Sequence, residues 1–351
     1  KLNRYYYIGL SVIAWPVWVS TAKESKVKYD ILSLGPARMD VFVSLPEDEI
    51  NQVCSIDKER CMIELGFGEK IAVRGITFSV GGNTGNNAVG LTRLGLKVAM
   101  IGTMGGEWTD KQALEILKGE GIDTQYVKVE PGKFGFGVVI NYQGERTILS
   151  YYPESTNEFP QDANLQAEWI YLTTAGTNFE DFYHQAVDWS GRAGAKIAFN
   201  PGTRQLKAGK DAIVFALSKS ETIFLNREES AKLLDLPIGD IRKLLDGLRA
   251  LGPKVAVITD GPSGTYCSDG TKYLLMPIVD APVVERTGAG DAFGSGFLAA
   301  LIAGKPLEEC LKWGTVNSAS VLGFIGSTAG LLHPNQMQQW LTKAETVTVK
   351  E

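Results

Sequence analysis

Between Val284 and Ala300 the sequence reads VERTGAGDAFGSGFLAA, so that Thr287-Gly288-Ala289-Gly290 runs into Asp291 and a long stretch of small, helix-compatible residues. Glycines at a helix start let the backbone close on a ligand, and the first-turn amides meet that ligand with the positive end of the helix dipole. The segment predicts an anion hole at Gly288, Ala289 and Gly290, with the carboxylate of Asp291 in the same turn. By itself an Asp there is also the ordinary helix-terminal carboxylate, which needs no ligand. A second cluster, SVGGNTGNNAVGLTRLG at residues 79–95, sets Gly81 and Gly82 before Asn86 at another helix start. A tight turn capped by Asn is the alternative for that cluster.

Other chemistries are poorly represented. No Gly-x-x-x-x-Gly-Lys-[Ser/Thr] loop occurs, and neither cluster gives Gly-x-Gly-x-x-Gly after a strand, which weakens the P-loop and dinucleotide readings. Four cysteines (Cys54, Cys61, Cys267, Cys310) and two histidines (His184, His333) are too scattered for a zinc site or a Ser-His triad. The cysteines are expected to fill the core as small hydrophobes in a reducing compartment. With 35 basic and 40 acidic residues the net charge is -5, which leaves no electrostatic footprint for nucleic acid and points to a small-molecule partner.

The elements that must position these residues follow from hydrophobic patterning. The 351 residues include 44% hydrophobic and 21% charged side chains, the composition of a globular protein. From Lys28 onward short β-branched runs alternate with helix-length amphipathic stretches. Runs at 29–34, 98–101, 169–172, 196–199, 222–225 and 255–259 read as strands buried on both faces of a parallel sheet. Two β-rich stretches, Met62 to Val80 and Phe134 to Tyr152, break the alternation, and Gly144-Glu145 looks like a hairpin turn. They predict a small separate sheet able to act as a lid.

The two glycine segments together resemble the signatures of the PfkB/ribokinase family of sugar and nucleoside kinases. Gly81, Gly82 and Asn86 match its Gly-Gly-x-x-x-Asn, and Gly288 to Asp291 match its Gly-Ala-Gly-Asp. The resemblance runs from about Tyr29 to Leu341. Between the signatures lie GPARMD (35–40), Asn226-Arg227-Glu228-Glu229 and Thr259-Asp260-Gly261 with Gly264, in the family's order. The resemblance implies an α/β fold, a ribokinase-like three-layer sandwich with a mostly parallel central sheet and a small β-sheet lid. It implies a kinase domain over 28–345, with lid strands from about 44–80 and 134–152.

The implied activity is transfer of the γ-phosphate of ATP to a hydroxyl of a small sugar, with Asp291 as general base. Asp40, Gly81, Gly82 and Asn86 would grip the acceptor, and Asn200, as a substrate residue, and Arg204 lie where the family places polar residues facing the phosphate or the substrate, a loop cap and a surface charge being the alternatives. Asn226, Glu229, Thr259, Gly261, Gly264, Arg286 and Asn317 would border the nucleotide. Mg2+ would be held near Asn226 and Glu229 through water. Glu285 stands where ribokinase-like members use an Asp in a potassium site, so activation by a monovalent cation is doubtful. A nucleoside is the alternative acceptor. The rival from another class is a non-catalytic sugar-binding regulatory protein, against which the intact Asp291 argues. Flap sheets can pair across a dimer, so the resemblance allows a homodimer through the lid.

Residues 1–27 stand apart. Tyr5 to Ala22 carries no charge and follows Lys1 and Arg4, as in a secretory leader or short anchor, whereas Pro16 interrupts the run and favours a non-native or packed extension. Use of ATP favours a cytoplasmic location and an extension dispensable for catalysis.

Overall fold

The computed structural model describes residues 28–48, 50–55, 61–162 and 164–351. The extension expected over 1–27 lies outside the described residues. In chain order the elements begin with β1 (Lys28–Leu34), β2 (Arg38–Ser44), β3 (Asn51–Cys54), β4 (Cys61–Glu64), β5 (Gly75–Gly81), α1 (Asn83–Arg93), β6 (Val98–Met104), α2 (Trp108–Gly119) and β7 (Asp123–Val129). There follow β8 (Phe136–Tyr142), β9 (Glu145–Tyr151), β10 (Gln166–Leu172), α3 (Phe179–Ala193), β11 (Lys196–Phe199), α4 (Thr203–Ala208) and α5 (Lys210–Lys219). The chain continues through β12 (Thr222–Asn226), α6 (Arg227–Leu234), α7 (Ile241–Ala250), β13 (Val255–Thr259), β14 (Thr265–Ser268) and β15 (Tyr273–Met276), and ends with α8 (Ala289–Ile302), α9 (Leu307–Val321) and α10 (Pro334–Lys343).

The large sheet has the order β15-β14-β13-β12-β11-β10-β1-β6-β7 and is parallel except at β14 and β15. Its strands are apolar on both faces because both faces are covered. Ile31, Trp169 and Val257 enter one core with Leu91, Phe297 and Leu311 of α1, α8 and α9. Their chain neighbours Leu32, Ile170 and Ile258 enter a second core with Phe182, Leu217 and Leu248 of α3, α5 and α7. This period-2 division of each strand between two helical layers gives the three-layer α/β sandwich.

The small sheet has the order β5-β2-β8-β9, so both β-rich stretches contribute to one sheet. Two details differ from expectation. The segment carrying Asp40 is itself a lid strand, β2, ahead of the lid boundary expected at about 44. The stretch from Met62 to Val80 is not continuous strand either, since β4 belongs to a separate hairpin with β3 and the chain is irregular from Leu65 to Arg74. That hairpin also corrects the reading of the cysteines. Cys54 and Cys61 are cross-strand partners in the antiparallel register and form a disulfide, leaving Cys267 and Cys310 as the buried free thiols.

Strand order reverses beside β1, which lies between β10 and β6, and in sheets of this kind ligands bind at the carboxyl ends of the strands at such a switch point. Gly35, at the end of β1 with φ 133°, allows the chain to leave there. A Cβ on it would run into the backbone oxygen of Thr174, and one on Gly102 of β6 would run into that of Gly35. Among the described residues no helix is long and apolar enough to cross a membrane.

Candidate active site

A cavity of about 820 Å³ opens at this switch point. Its wall is built from the end of β6 (Thr103, Met104), from the segments that leave β1 (Pro36, Ala37), β10 (Thr174–Gly176) and β11 (Asn200–Arg204), from the lid, including Arg38 of β2, and from the start of α8.

Asp291 is the third residue of α8, behind Gly288 at φ 83° and Ala289 and Gly290 in helical conformation. No side chain caps this helix. The Ala289 N–H is loosely engaged by the Arg286 carbonyl at 3.4 Å, and among the described residues the Gly290 and Asp291 N–H groups are left for an outside acceptor, as an anion hole requires. Gly288 packs so closely on the 326–328 segment that a Cβ would come within 2.6 Å of Ser327 Cβ.

Asn86 Nδ2 donates to Asp291 Oδ2 at 2.8 Å, joining two segments 205 residues apart. Asn86 sits on α1, whose N-cap is Gly82 with φ 80°. The other amide oxygen, Asn86 Oδ1, is buried without a hydrogen-bond partner and remains for a ligand. Desolvation raises the pKa of Asp291 to about 6. Asn86 counteracts that rise by donating to the charged form, and the nearby charges of Glu229 and Asp40 add to it.

Asp40 is 3% exposed and lines the same cavity from β2. Desolvation pushes its pKa up, opposed by Arg38, whose Nε lies 2.7 Å from Asp40 Oδ1. Gly81 faces it on β5, where a Cβ would collide with the carboxylate. Asn200, after β11, lines the cavity and donates from Nδ2 to the hydroxyl of Tyr171 at 3.1 Å. Tyr171 is completely buried on β10.

The residues expected around the nucleotide are distributed unevenly. Asn226 and Glu229 form a capping box at the start of α6: Glu229 N–H donates to Asn226 Oδ1 at 2.8 Å and Asn226 N–H to Glu229 Oε2 at 3.0 Å. Glu229 also lines the cavity, and desolvation raises its pKa. Thr259, Gly261 and Gly264 form the turn between β13 and β14, next to Asn226 through the β12–β13 pairing. Arg286 lies 3.7 Å from Glu145 of the lid rather than in the cavity wall. Asn317 departs furthest from expectation. It is fully buried, with Nδ2 donating to the Ala292 carbonyl at 2.8 Å and Oδ1 accepting from Leu332 N–H at 3.0 Å. Its amide joins α8, α9 and the following loop, which leaves nothing for an adenine.

The cavity also contains residues that motif reading passed over: Arg38, Lys133, Arg146, Tyr152 and Lys207. A signal existed for Arg38, because residues two apart on a strand share a face and Asp40 had already been singled out. For Lys133, in an ordinary Pro-Gly-Lys turn, there was none.

Comparison with known proteins bears on the family and the fold. The family model described as pfkB family carbohydrate kinase matches residues 48–333. The chain is 29% identical to a ribokinase of Bacillus subtilis over 269 residues, which cover 75% of this chain and 87% of that protein. It is 25% identical to a nucleoside kinase of Methanothermobacter thermautotrophicus over 307 residues, which cover 86% and 90%. Among solved structures, the ribokinase of Arabidopsis thaliana complexed with ribose and ATP superposes with a TM-score of 0.71 at 20% identity, covering 90% of this chain and 99% of that one.

Proposed function

Because the chain belongs to the pfkB family of carbohydrate kinases, phosphotransferases with an alcohol group as acceptor, we propose that it transfers the γ-phosphate of ATP to a hydroxyl of a small sugar, with Asp291 as general base. The observation that carries this reading is the Asn86–Asp291 hydrogen bond, which sets the carboxylate between the uncapped start of α8 and the Asp40 side of one cavity.

The steps follow from what each residue can do. Asp40 and the free Oδ1 of Asn86 are buried acceptors suited to sugar hydroxyls. They turn one hydroxyl toward Asp291, which takes its proton as the oxygen bonds to the γ-phosphorus and the bond to ADP breaks. The Gly288, Ala289 and Gly290 amides hold the phosphoryl oxygens, where charge changes most. Glu229 keeps Oε1 free of its capping box. With Asn226 it would suit the water-mediated hold that Mg2+ accepts beside phosphates, where the ion would supply charge to offset that of the phosphates. The lid excludes water that would otherwise take the phosphoryl group.

A nucleoside acceptor is less well served. Among the described residues of the lid, Tyr152 is the aromatic side chain lining the cavity. Its ring already carries the Arg38 guanidinium 5.0 Å from the centroid.

The test is Asp291→Asn. Loss of about 10² to 10⁴ in kcat, with folding and ATP binding retained, is the expected result for a positioned base. Near-normal turnover would reduce Asp291 to a first-turn carboxylate that only complements the helix dipole.

A further inference from the structure

The cavity is more basic than a neutral sugar requires. Arg38, Lys133, Arg146, Arg204 and Lys207 line it, against the carboxylates of Asp40, Glu229 and Asp291. The sheet order divides the cations. Arg204 and Lys207 follow β11, beside β12 and Glu229, on the side of the phosphate donor. Arg146 lies 3.8 Å from Glu285, next to the anion-hole turn. These three can answer the charge of a nucleotide. Arg38 and Lys133 cannot be assigned in that way, because Arg38 opens lid strand β2 two residues before Asp40, and Lys133 lies between β7 and lid strand β8, whose neighbour in the lid is β2.

Arg38 is held in a prepared slot. Its side chain is 12% exposed, its Nε pairs with Asp40 and its guanidinium lies over Tyr152. Gly137 of β8 makes room for the Arg38–Asp40 pair, since a Cβ there would run into the Asp40 carboxylate and come to 3.0 Å from Arg38 Nη2. Arg38 Nη1 is buried with no hydrogen-bond partner. A buried guanidinium nitrogen without an acceptor is costly, and a ligand acceptor would remove that cost. Lys133 donates to the Glu154 carbonyl, and among the described residues no carboxylate pairs with its ammonium group. Asp40 therefore balances one of two positive charges on this side.

We propose that the acceptor is an anionic sugar, whose phosphate or carboxylate is received by Arg38 and Lys133 at the end remote from the hydroxyl presented to Asp291. This rests on the kinase reading above and specifies its substrate class. A guanidinium and an ammonium group lining one cavity suit a tetrahedral phosphate or a planar carboxylate, and neither group gains as much from a neutral hydroxyl.

The test compares matched pairs, D-fructose with D-fructose 6-phosphate and D-glucose with D-gluconate, together with uridine. Thermal shift and ATP-dependent phosphorylation are measured with wild type, Arg38→Gln and Lys133→Gln, with and without a non-hydrolysable ATP analogue. A charged member should stabilise the protein where its neutral partner does not, and which pair responds tells phosphate from carboxylate. Both variants should weaken that response at least tenfold while the shift caused by the ATP analogue is kept. Lys133→Gln, in a half-exposed turn, keeps the test open if Arg38→Gln fails to fold. Equal or stronger responses to the neutral sugars or to uridine, or silence from both charged probes, would overturn the proposal. Absence of any shift with the ATP analogue would instead count against the kinase reading, and the charged-to-neutral comparison made without nucleotide would still decide this one.

Discussion

Arg146 Nε stands 3.8 Å from Glu285 Oε1, the same oxygen that accepts from the Thr287 backbone N–H at 2.7 Å. Glu285 is 1% exposed, so lid strand β9 reaches a buried carboxylate that in turn shapes the approach to the anion hole. Arg286 and Glu145, 3.7 Å apart, make a second link between the same two segments. Arg146→Ala should loosen the lid from the turn. A partly exposed pair is worth up to about 1 kcal/mol, so acceptor KM should rise about fivefold, with a smaller fall in kcat and faster ATP hydrolysis in the absence of acceptor. Steady-state kinetics with and without acceptor measure all three, and unchanged values would mean that the lid is held by β2 and β8 alone.

Gly288 and Gly290 are separable by the space around them. At Gly288 the φ of 83° and the closeness of Ser327 both oppose a side chain, whereas the Cβ position at Gly290 has no atom within 4 Å. Gly288→Ala should cost about 1–3 kcal/mol in denaturant unfolding and displace the turn, lowering kcat with it. Gly290→Ala should leave unfolding unchanged within about 0.5 kcal/mol. Any loss of kcat in that variant then measures crowding of the phosphoryl group itself. Equal destabilisation by both would contradict the packing described for Gly288.

The Cys54–Cys61 disulfide closes a hairpin whose β3 and β4 residues are mostly exposed, outside the two large cores. Its cross-link acts on a short loop, so its effect should stay local. Cys54→Ser with Cys61→Ser should leave kcat unchanged and speed proteolysis within residues 45–74. A change in kcat would tie this hairpin to lid closure.

These outcomes also separate what the sequence made legible from what it did not. The buried parallel strands were readable because both faces are apolar, as Ile31 and Leu32 illustrate, and α8 was readable because its glycines and Asp291 fall in one turn. Strand β7 was not: its residues Thr124, Gln125 and Lys128 are those of a half-exposed edge. Strands β14 and β15 have four residues each, although the Asp269-Gly270 pair between them is a recognisable hairpin signal. Asn317 matched a motif position and yet serves the framework, because a buried amide is committed by its surroundings rather than by its sequence neighbours. Tyr171 gave no signal at all, being an aromatic residue in an apolar strand.

That tyrosine nevertheless holds a cavity residue in place. Its hydroxyl accepts from Asn200 Nδ2 at 3.1 Å, and no other hydrogen bond fixes the Asn200 side chain among the described residues. Tyr171→Phe should cost about 1 kcal/mol or less in stability, while freeing Asn200 to rotate. If Asn200 orients the acceptor or the transferred phosphate, kcat/KM should fall about three- to tenfold, with no further loss when Asn200→Ala is added. Additive losses in the double variant would show that the two residues act separately.

The raised pKa of Asp291 yields predictions of opposite sign for activity and stability. A general base must be ionised, so with its pKa at about 6 kcat/KM should fall about tenfold per pH unit below that value. Asn86→Ala removes a donor to the charged form and should move this limb to higher pH. Glu229→Gln removes a neighbouring negative charge and should move it lower. For stability, the folded value lies above the ordinary 3.8, so protonation favours the native state, and the carboxylate becomes a growing burden as pH rises from about 4 to about 6. Asp291→Asn carries no such burden. The variant should therefore unfold like wild type at pH 4 and be more stable above pH 6, by about 1–2 kcal/mol once the partial exposure of the carboxylate is allowed for. Denaturant titrations of both proteins across pH 4–8 measure the difference. A variant that is less stable than wild type at pH 8 would mean that the Asp291 charge is compensated in the folded protein, and would remove the basis for a limb near pH 6.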